Sequence, residues 1–337
     1  MQTINITAAD TLFFRDGRPF TMGEDTHADG LFPPPPSVLY GALRSAYMAK
    51  KLSTNTVEAL IKETSTLTIK GLALVMQNNN YFPLPKDLVV PKEEDGSYNA
   101  RCLEYTEASS LSSSLTPKTL KNNAKGKMED GDFYLKTTAL TSYLRKTKDV
   151  FSCVKLPIQR ELKVGIGRSN ETHIATDGML YRAAMQRPID VSFAVQFDNL
   201  NLDTEGVLQL GGERKVAHFQ SSNYTGFDTL EIEGCEFKIY LATPAIFKAG
   251  WRPTDIVEDG CTIQAAAIGK AMHLGGFDID KKMPKAMLQA VPAGSVYYVR
   301  AKDEAQAQRI IKKIEAQGSI SEFYKEQGFG IAFIGKT

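Results

Sequence analysis

Four consecutive prolines, Pro33 to Pro36, constrain this chain more than any other feature. Proline fixes φ and has no N–H to donate, so the run is extended and cannot form a helix interior. It divides two periodic segments. Before it, Ile4, Ile6 and Ala8 alternate with Asn5 and Thr7, the pattern of a strand. After it, Leu39, Leu43, Ala46 and Tyr47 recur at helical spacing up to about Lys51, with Ser37 placed to cap that helix. Leu67 to Met76 reads as the next strand.

Residues from about 85 to 160 lose this periodicity and contain the run SSLSSSLT. Lys118 to Lys148 carries eight Lys or Arg against three Asp or Glu. A large, mobile, basic insertion is expected there. Regularity returns at Phe193, Val195 and Phe197, and again at Lys215 to Gln220. A polar Gly/Asn/Ser stretch at Ser221 to Asp228 is a plausible boundary. A second set follows: strands at Phe237 to Leu241 and Ser295 to Ala301, an apolar run at Ala265 to Met272, and a last strand at Gly328 to Gly335. Ala305 to Ala316 reads as a helix with Ala305, Ile310, Ile311 and Ile314 facing inward. The expected fold is α+β: two tandem ferredoxin-like domains, 1–225 with the insertion at about 85–160, and 226–337.

Composition excludes several classes. With 40 Lys plus Arg and 39 Asp plus Glu, the whole chain is nearly neutral, so any basic surface is local. Cys102, Cys153, Cys235 and Cys261 are too far apart in sequence for a C-x-x-C pair. No H-E-x-x-H or H-x-H occurs around His27, His173, His218 or His273, so no metal or other cofactor is expected. No apolar run approaches the roughly 18 residues of a membrane helix, and a cytoplasmic protein is expected.

Three motifs imitate nucleotide chemistry. Gly330, Gly335, Lys336 and Thr337 fit the P-loop pattern, but Ile331 to Ile334 between the glycines is strand-like and no helix follows to hold phosphates. Gly165, Gly167 and Arg168 lack the third glycine of a dinucleotide fingerprint. QGFGIAF, at Gln327 to Phe333, half-resembles the aromatic strand of an RRM without the helix and strand that should follow. His27 stands out among the histidines because it sits in the polar loop GEDTHADG just before the proline run, and the sequence does not exclude its use as a general acid or base in metal-independent RNA cleavage.

Six blocks then occur in a fixed order: FFRDGRPF (Phe13 to Phe20), FPPPPSVLYGALRS (Phe32 to Ser45), LGGERK (Leu210 to Lys215), IGKAMHLGGFD (Ile268 to Asp278), AVPAGSVYY (Ala290 to Tyr298) and GFGIAF (Gly328 to Phe333). Together they resemble the third subunit of the type III-B CRISPR effector, the Cmr module of antiviral defence, within the RAMP superfamily. The resemblance implies a subunit that caps the repeat-derived 5′ handle of the guide RNA. It also implies docking onto the large polymerase-like Cas subunit and the neighbouring backbone RAMP subunit, with target RNA met only indirectly. Catalysis would belong to other subunits, so no catalytic residue is expected here. The alternative is a RAMP endoribonuclease that processes precursor guide RNA. Single-stranded RNA is held by cations on phosphates and by glycine backbones that allow close approach. The residues expected to meet it are Arg15, Arg18, His27, Gly41, Arg44, Arg168, Arg214, Lys270, Gly275, Gly276, Gly328 and Gly330.

Overall fold

The computed structural model describes residues 1–15, 17, 27–107, 116–223, 227, 230–278 and 281–337. In chain order, β1 (Gln2–Ala8) and β2 (His27–Ala28) precede α1 (Pro36–Lys51) and α2 (Val57–Thr64). Next come β3 (Thr68–Met76), β4 (Asn79–Pro83), β5 (Leu88–Val89), β6 (Asn99–Cys102), β7 (Glu104–Glu107) and β8 (Lys118–Lys121). These lead to β9 (Tyr134–Lys136), α3 (Thr137–Leu144) and β10 (Val150–Ser152). The long strands β11 (Ile158–Arg168) and β12 (Ala175–Pro188) are followed by β13 (Val191–Asp198), β14 (Glu205–Gln209) and β15 (Val216–Ser221). The remainder comprises β16 (Glu236–Leu241), α4 (Thr254–Glu258), β17 (Thr262–Ala267), β18 (Met272–Leu274), β19 (Phe277–Asp278), β20 (Met283–Pro284), β21 (Leu288–Ala290), β22 (Val296–Arg300), α5 (Glu304–Gln317) and β23 (Ala332–Gly335). The protein is thus strand-rich α+β. Among the described residues, no helix is long and apolar enough to cross a membrane.

Two compact units share the chain. The first comprises Met1–Leu67, Pro157–Asn223 and Met272–Gln289, and the second Thr68–Leu156, Tyr224–Ala271 and Ala290–Thr337. One crossing, Asn223 to Tyr224, falls beside the boundary expected at 225/226, and residues 68–156 belong with the second unit.

In the first unit, β1 pairs antiparallel with β13 on one side and β15 on the other, and β15 pairs with β14. The alternation of Ile4 and Ile6 has its physical reason here. Both are fully buried, with Val195 and Phe193 as their partners across the ladder. α1 buries Leu39, Leu43, Tyr47 and Met48 along one stripe. Its start corrects the expected cap. Pro36 is already the first helical residue and Pro35 precedes it, so Ser37 lies inside the helix and no side chain caps the end. Proline suits that position because its missing N–H would have had no intrahelical partner.

In the second unit, β17, β22, β16 and β23 lie in that order, every neighbouring pair antiparallel. α5 is capped at its start by Asp303, which accepts a hydrogen bond from the Gln306 amide at 2.8 Å, and at its end by Gly318 with φ of 67°. Its inward face is Ala307, Ile310, Ile311 and Ile314, whereas Ala305 is exposed. The three isoleucines fix the stripe, and Ala307 rather than Ala305 lies one turn before Ile311.

The segment from about 85 to 160 is not the aperiodic insertion expected. Its described residues form β5 to β10 and α3, and bury Leu88, Ala100, Leu135, Leu140, Tyr143 and Phe151. Asp87, 2% exposed, accepts hydrogen bonds from Tyr143 Oη at 2.6 and 2.7 Å and from Tyr298 Oη on β22 at 2.7 Å. Lys238 Nζ lies 3.4 Å from the centre of the Tyr143 ring. Burial lowers the Lys238 ammonium pKa, against an opposing pull from Asp87. These polar groups fasten the segment to the β16 and β22 sheet. Of SSLSSSLT, all but Thr116 lies outside the described residues.

A candidate nucleic-acid interface

Three of the six sequence blocks converge in the first unit. The turn after Phe13 meets LGGERK first: the Gly212 amide donates to the Phe13 carbonyl at 2.8 Å. Gly211 has φ of 81°, and a Cβ there would lie 2.7 Å from that same carbonyl oxygen. Only glycine satisfies both the positive φ and the close approach. Gly17, on the same turn, packs against the hairpin of β18 to β21. A Cβ on Gly17 would stand 2.6 Å from both the His273 carbonyl oxygen and Met287 Cε. The Leu31 amide donates to the Phe14 carbonyl at 2.8 Å, and Arg15 bridges Gly30. Buried Leu12 and Phe14 anchor the turn.

Charge around these turns sorts into paired and outward groups. Lys215 reaches Asp10 and Thr11 at 2.9 and 3.0 Å. Arg187 bonds both Glu161 and Asp10, and Lys163 bonds Glu213 at 2.6 Å. The hydrogen bond from Lys215, aided by Arg187, holds the Asp10 carboxyl at about 2. These ions hold the base of the β11–β12 hairpin to the ends of β1 and β15. Arg15, Arg168 and Arg214 are exposed and have no ion pair among the described residues. They are among the cations of this unit that stay available to phosphate.

The other expected residues separate by what they touch. Arg18 lies outside the described residues, as does the side chain of His27, whose backbone pairs with Arg182 on β12. Gly41 has nothing within 4 Å of where a Cβ would be, so α1 is open to solvent there. Arg44 is engaged internally. Its Nε donates to Thr64 Oγ1 and a terminal nitrogen to the Ile61 carbonyl, each at 2.9 Å, at the C-terminal end of α2. It is a tie between two helices, which corrects its expected place as an open phosphate contact. Gly275 and Gly276 are exposed in the first unit, and Lys270 is exposed in the second.

The C-terminal glycines are corrected in the same way. Gly328 and Gly330 are buried in the second unit, with φ of 91° and 70°. Their amides donate to the carbonyls of Lys325 and Pro244 at 3.1 and 2.7 Å, so neither faces a ligand. A Cβ on Gly330 would lie 2.4 Å from the Ser321 nitrogen, and one on Gly328 would lie 2.9 Å from Ile69 Cγ2. Close packing explains these glycines. Gly335 is in β23, paired with Lys238, so the P-loop-like end is a strand. VGIGRSN is likewise the end of β11 and its turn.

Two features escape the sequence patterns. The β11–β12 hairpin leaves Leu162, Val164, Ile166 and Leu180 exposed. The β18–β21 hairpin supplies His273 and Met287 beside Gly17 and carries the exposed Phe277, although only its first half falls in a matched block. An open cleft of about 480 Å³, lined by residues such as Tyr47, Glu63, Asp198 and Asn199, contains none of the expected RNA contacts.

No curated protein matches the chain. Among solved structures, a chain of the type III-B Cmr-beta complex bound to cognate target RNA and AMPPnP is similar at 19% identity and a TM-score of 0.55. The match covers 94% of this chain and 89% of that one. A chain of Cmr-beta bound to cognate target RNA gives the same identity and coverage with a TM-score of 0.54. These likenesses show a shared fold. The family profile described as CRISPR-associated protein (Cas_Cmr3) matches residues 4–337. The chain therefore belongs to the Cas_Cmr3 family, as a subunit of the type III-B (Cmr) CRISPR effector.

Proposed function

We propose that this subunit is a non-catalytic RNA binder that caps the repeat-derived 5′ handle of the guide RNA. On this reading it docks onto the large polymerase-like subunit and the neighbouring backbone RAMP subunit. The order β17-β22-β16-β23, with α4 and α5 as crossovers, is read as one ferredoxin-like domain, and the first unit as its divergent tandem partner.

The observation that supports handle binding best is the convergence of the Phe13 turn, LGGERK and the β18–β21 hairpin, with Arg15 and Arg214 exposed beside them. Single-stranded RNA needs such a surface, because its backbone is held by cations and its bases lie against open protein faces. The test is to express the chain with its genomic neighbours, purify the complex and sequence the bound RNA. Guide RNAs sharing a repeat-derived 5′ end are expected. A second arm incubates the pure chain with repeat RNA in EDTA. Specific cleavage would replace this reading with that of a processing endoribonuclease.

A further inference from the structure

We propose that the β18–β21 hairpin is a base-stacking platform for single-stranded RNA, with Phe277 as the ring and Lys281 and Lys282 as its phosphate contacts. The inference rests on the reading of this subunit as an RNA binder and adds a site to it. Phe277 is 62% exposed, Met283 52% and Met287 49%, all on one short hairpin. Single exposed apolar residues are ordinary, but three on one short hairpin are the pattern expected of a contact surface. No described aromatic ring packs against Phe277.

The hairpin is held where a platform needs rigidity. Its base is fixed by Met287, whose Cε crowds Gly17 and whose Sδ lies 2.9 Å from where a Cβ on Gly275 would be. The Lys285 amide donates to the Gly276 carbonyl at 2.9 Å, and Phe277 pairs with Pro284 across the ladder. Phe277 thus sits on a strand already paired with Met283–Pro284, so its own side chain is what stacking would chiefly order. Lys281 and Lys282, further along the same hairpin, are exposed. Asp278 accepts a hydrogen bond from the Lys281 amide at 3.1 Å.

Charge selects RNA over protein as the occupant. Lysine is depleted from the cores of protein interfaces, where its ammonium would have to be dehydrated. Beside a nucleic acid the same pair neutralises phosphates while the ring takes a base, which is how single strands are held with little sequence preference. The position supports this too, because the hairpin abuts the turn that presents Arg15.

The experiment measures binding of a labelled oligoadenylate to the full-length chain, beside an abasic phosphodiester of the same length. Phe277→Ala is expected to weaken oligoadenylate binding about tenfold and to leave its salt dependence unchanged. Lys281→Ala with Lys282→Ala is expected to reduce the salt dependence. Phe277→Trp should retain affinity, and its added fluorescence should be quenched by oligoadenylate but not by the abasic strand. If the wild type binds and Phe277→Ala binds equally well, stacking is wrong while the RNA-binding reading stands. If Phe277→Ala instead loses partner subunits on purification with RNA affinity intact, the hairpin is a protein contact and the proposal falls. If the wild-type chain binds no RNA, alone or in its complex, the reading beneath the proposal fails with it.

Discussion

Gly17 approaches the backbone of His273 so closely that a Cβ would stand 2.6 Å from its carbonyl oxygen, a separation that real Cβ atoms do not adopt. The neighbour on that side is backbone and cannot swing away. Gly17→Ala is therefore expected to displace the turn from the hairpin, costing about 1–3 kcal/mol by the scale for overpacked sites. Thermal unfolding should show the loss, and guide-RNA retention in the assembled complex should fall with it.

Gly41 behaves in the opposite sense. It lies within α1 with open space where its side chain would be. Gly41→Ala is expected to stabilise the protein by about 0.5–1 kcal/mol, because alanine loses less backbone entropy on entering a helix. Chemical denaturation measures this directly. If an RNA backbone lies along that face, the more stable variant will also hold guide RNA less tightly.

Arg44 illustrates how much of the site the sequence leaves unreadable. Its place one turn after Gly41 on a matched block suggests a phosphate contact, yet its guanidinium bonds Thr64, which is fully buried, and the carbonyl of Ile61. Arg44→Ala should cost about 1–3 kcal/mol by leaving the buried Thr64 hydroxyl oxygen without its donor. It should leave the salt dependence of RNA binding unchanged, whereas loss of a phosphate contact would reduce the slope by about one unit or less.

Legibility followed the range of the interactions. α1, α5, β1 and β13 are readable because each buries one face, and burial of one face writes a period into the sequence. β22, by contrast, is buried on both faces and reads as the unbroken apolar run Val296 to Val299. Residues 85–160 are not, because their short strands and α3 are held by groups far along the chain, such as Asp87 with Tyr298. The alternation of Leu162, Val164 and Ile166 is present in β11, but those side chains are exposed rather than buried, so a rule based on burial misplaces them. The glycines of GFGIAF look like a ligand loop by composition, and only the donors and acceptors around Ser321, Thr243 and Pro244 reveal a packing role.

Asp87→Ala tests the corrected view of that segment. Two buried tyrosine hydroxyls would lose their common acceptor, with an expected cost of about 1–3 kcal/mol or more. In the wild type, limited proteolysis should spare Phe133 to Ser152, where Phe133, Leu135, Leu140, Tyr143 and Phe151 are buried. Early cleavage within α3 would restore the picture of a mobile insertion.

Acid should loosen the base of the β11–β12 hairpin. The Asp10 carboxyl is lowered from its ordinary 3.8 to about 2, first by Lys215 and then by other donors including Arg187. A carboxylate with a depressed pKa contributes stability that is fully present above its unfolded value and is lost as pH falls through the folded one. Stability should therefore drop between about pH 5 and pH 2, and Asp10→Asn should flatten that part of the curve.

The central claim, that exposed cations of the first unit hold guide RNA, is tested most directly by the salt dependence of RNA occupancy in purified complexes. The comparison is between wild type and a variant carrying Arg15→Ala and Arg214→Ala. Both side chains are exposed, so the variant should fold and assemble. The account predicts lower occupancy and a salt slope smaller by up to about two units, one for each lost phosphate contact. Unchanged occupancy with an unchanged slope in a folded, fully assembled complex would contradict it.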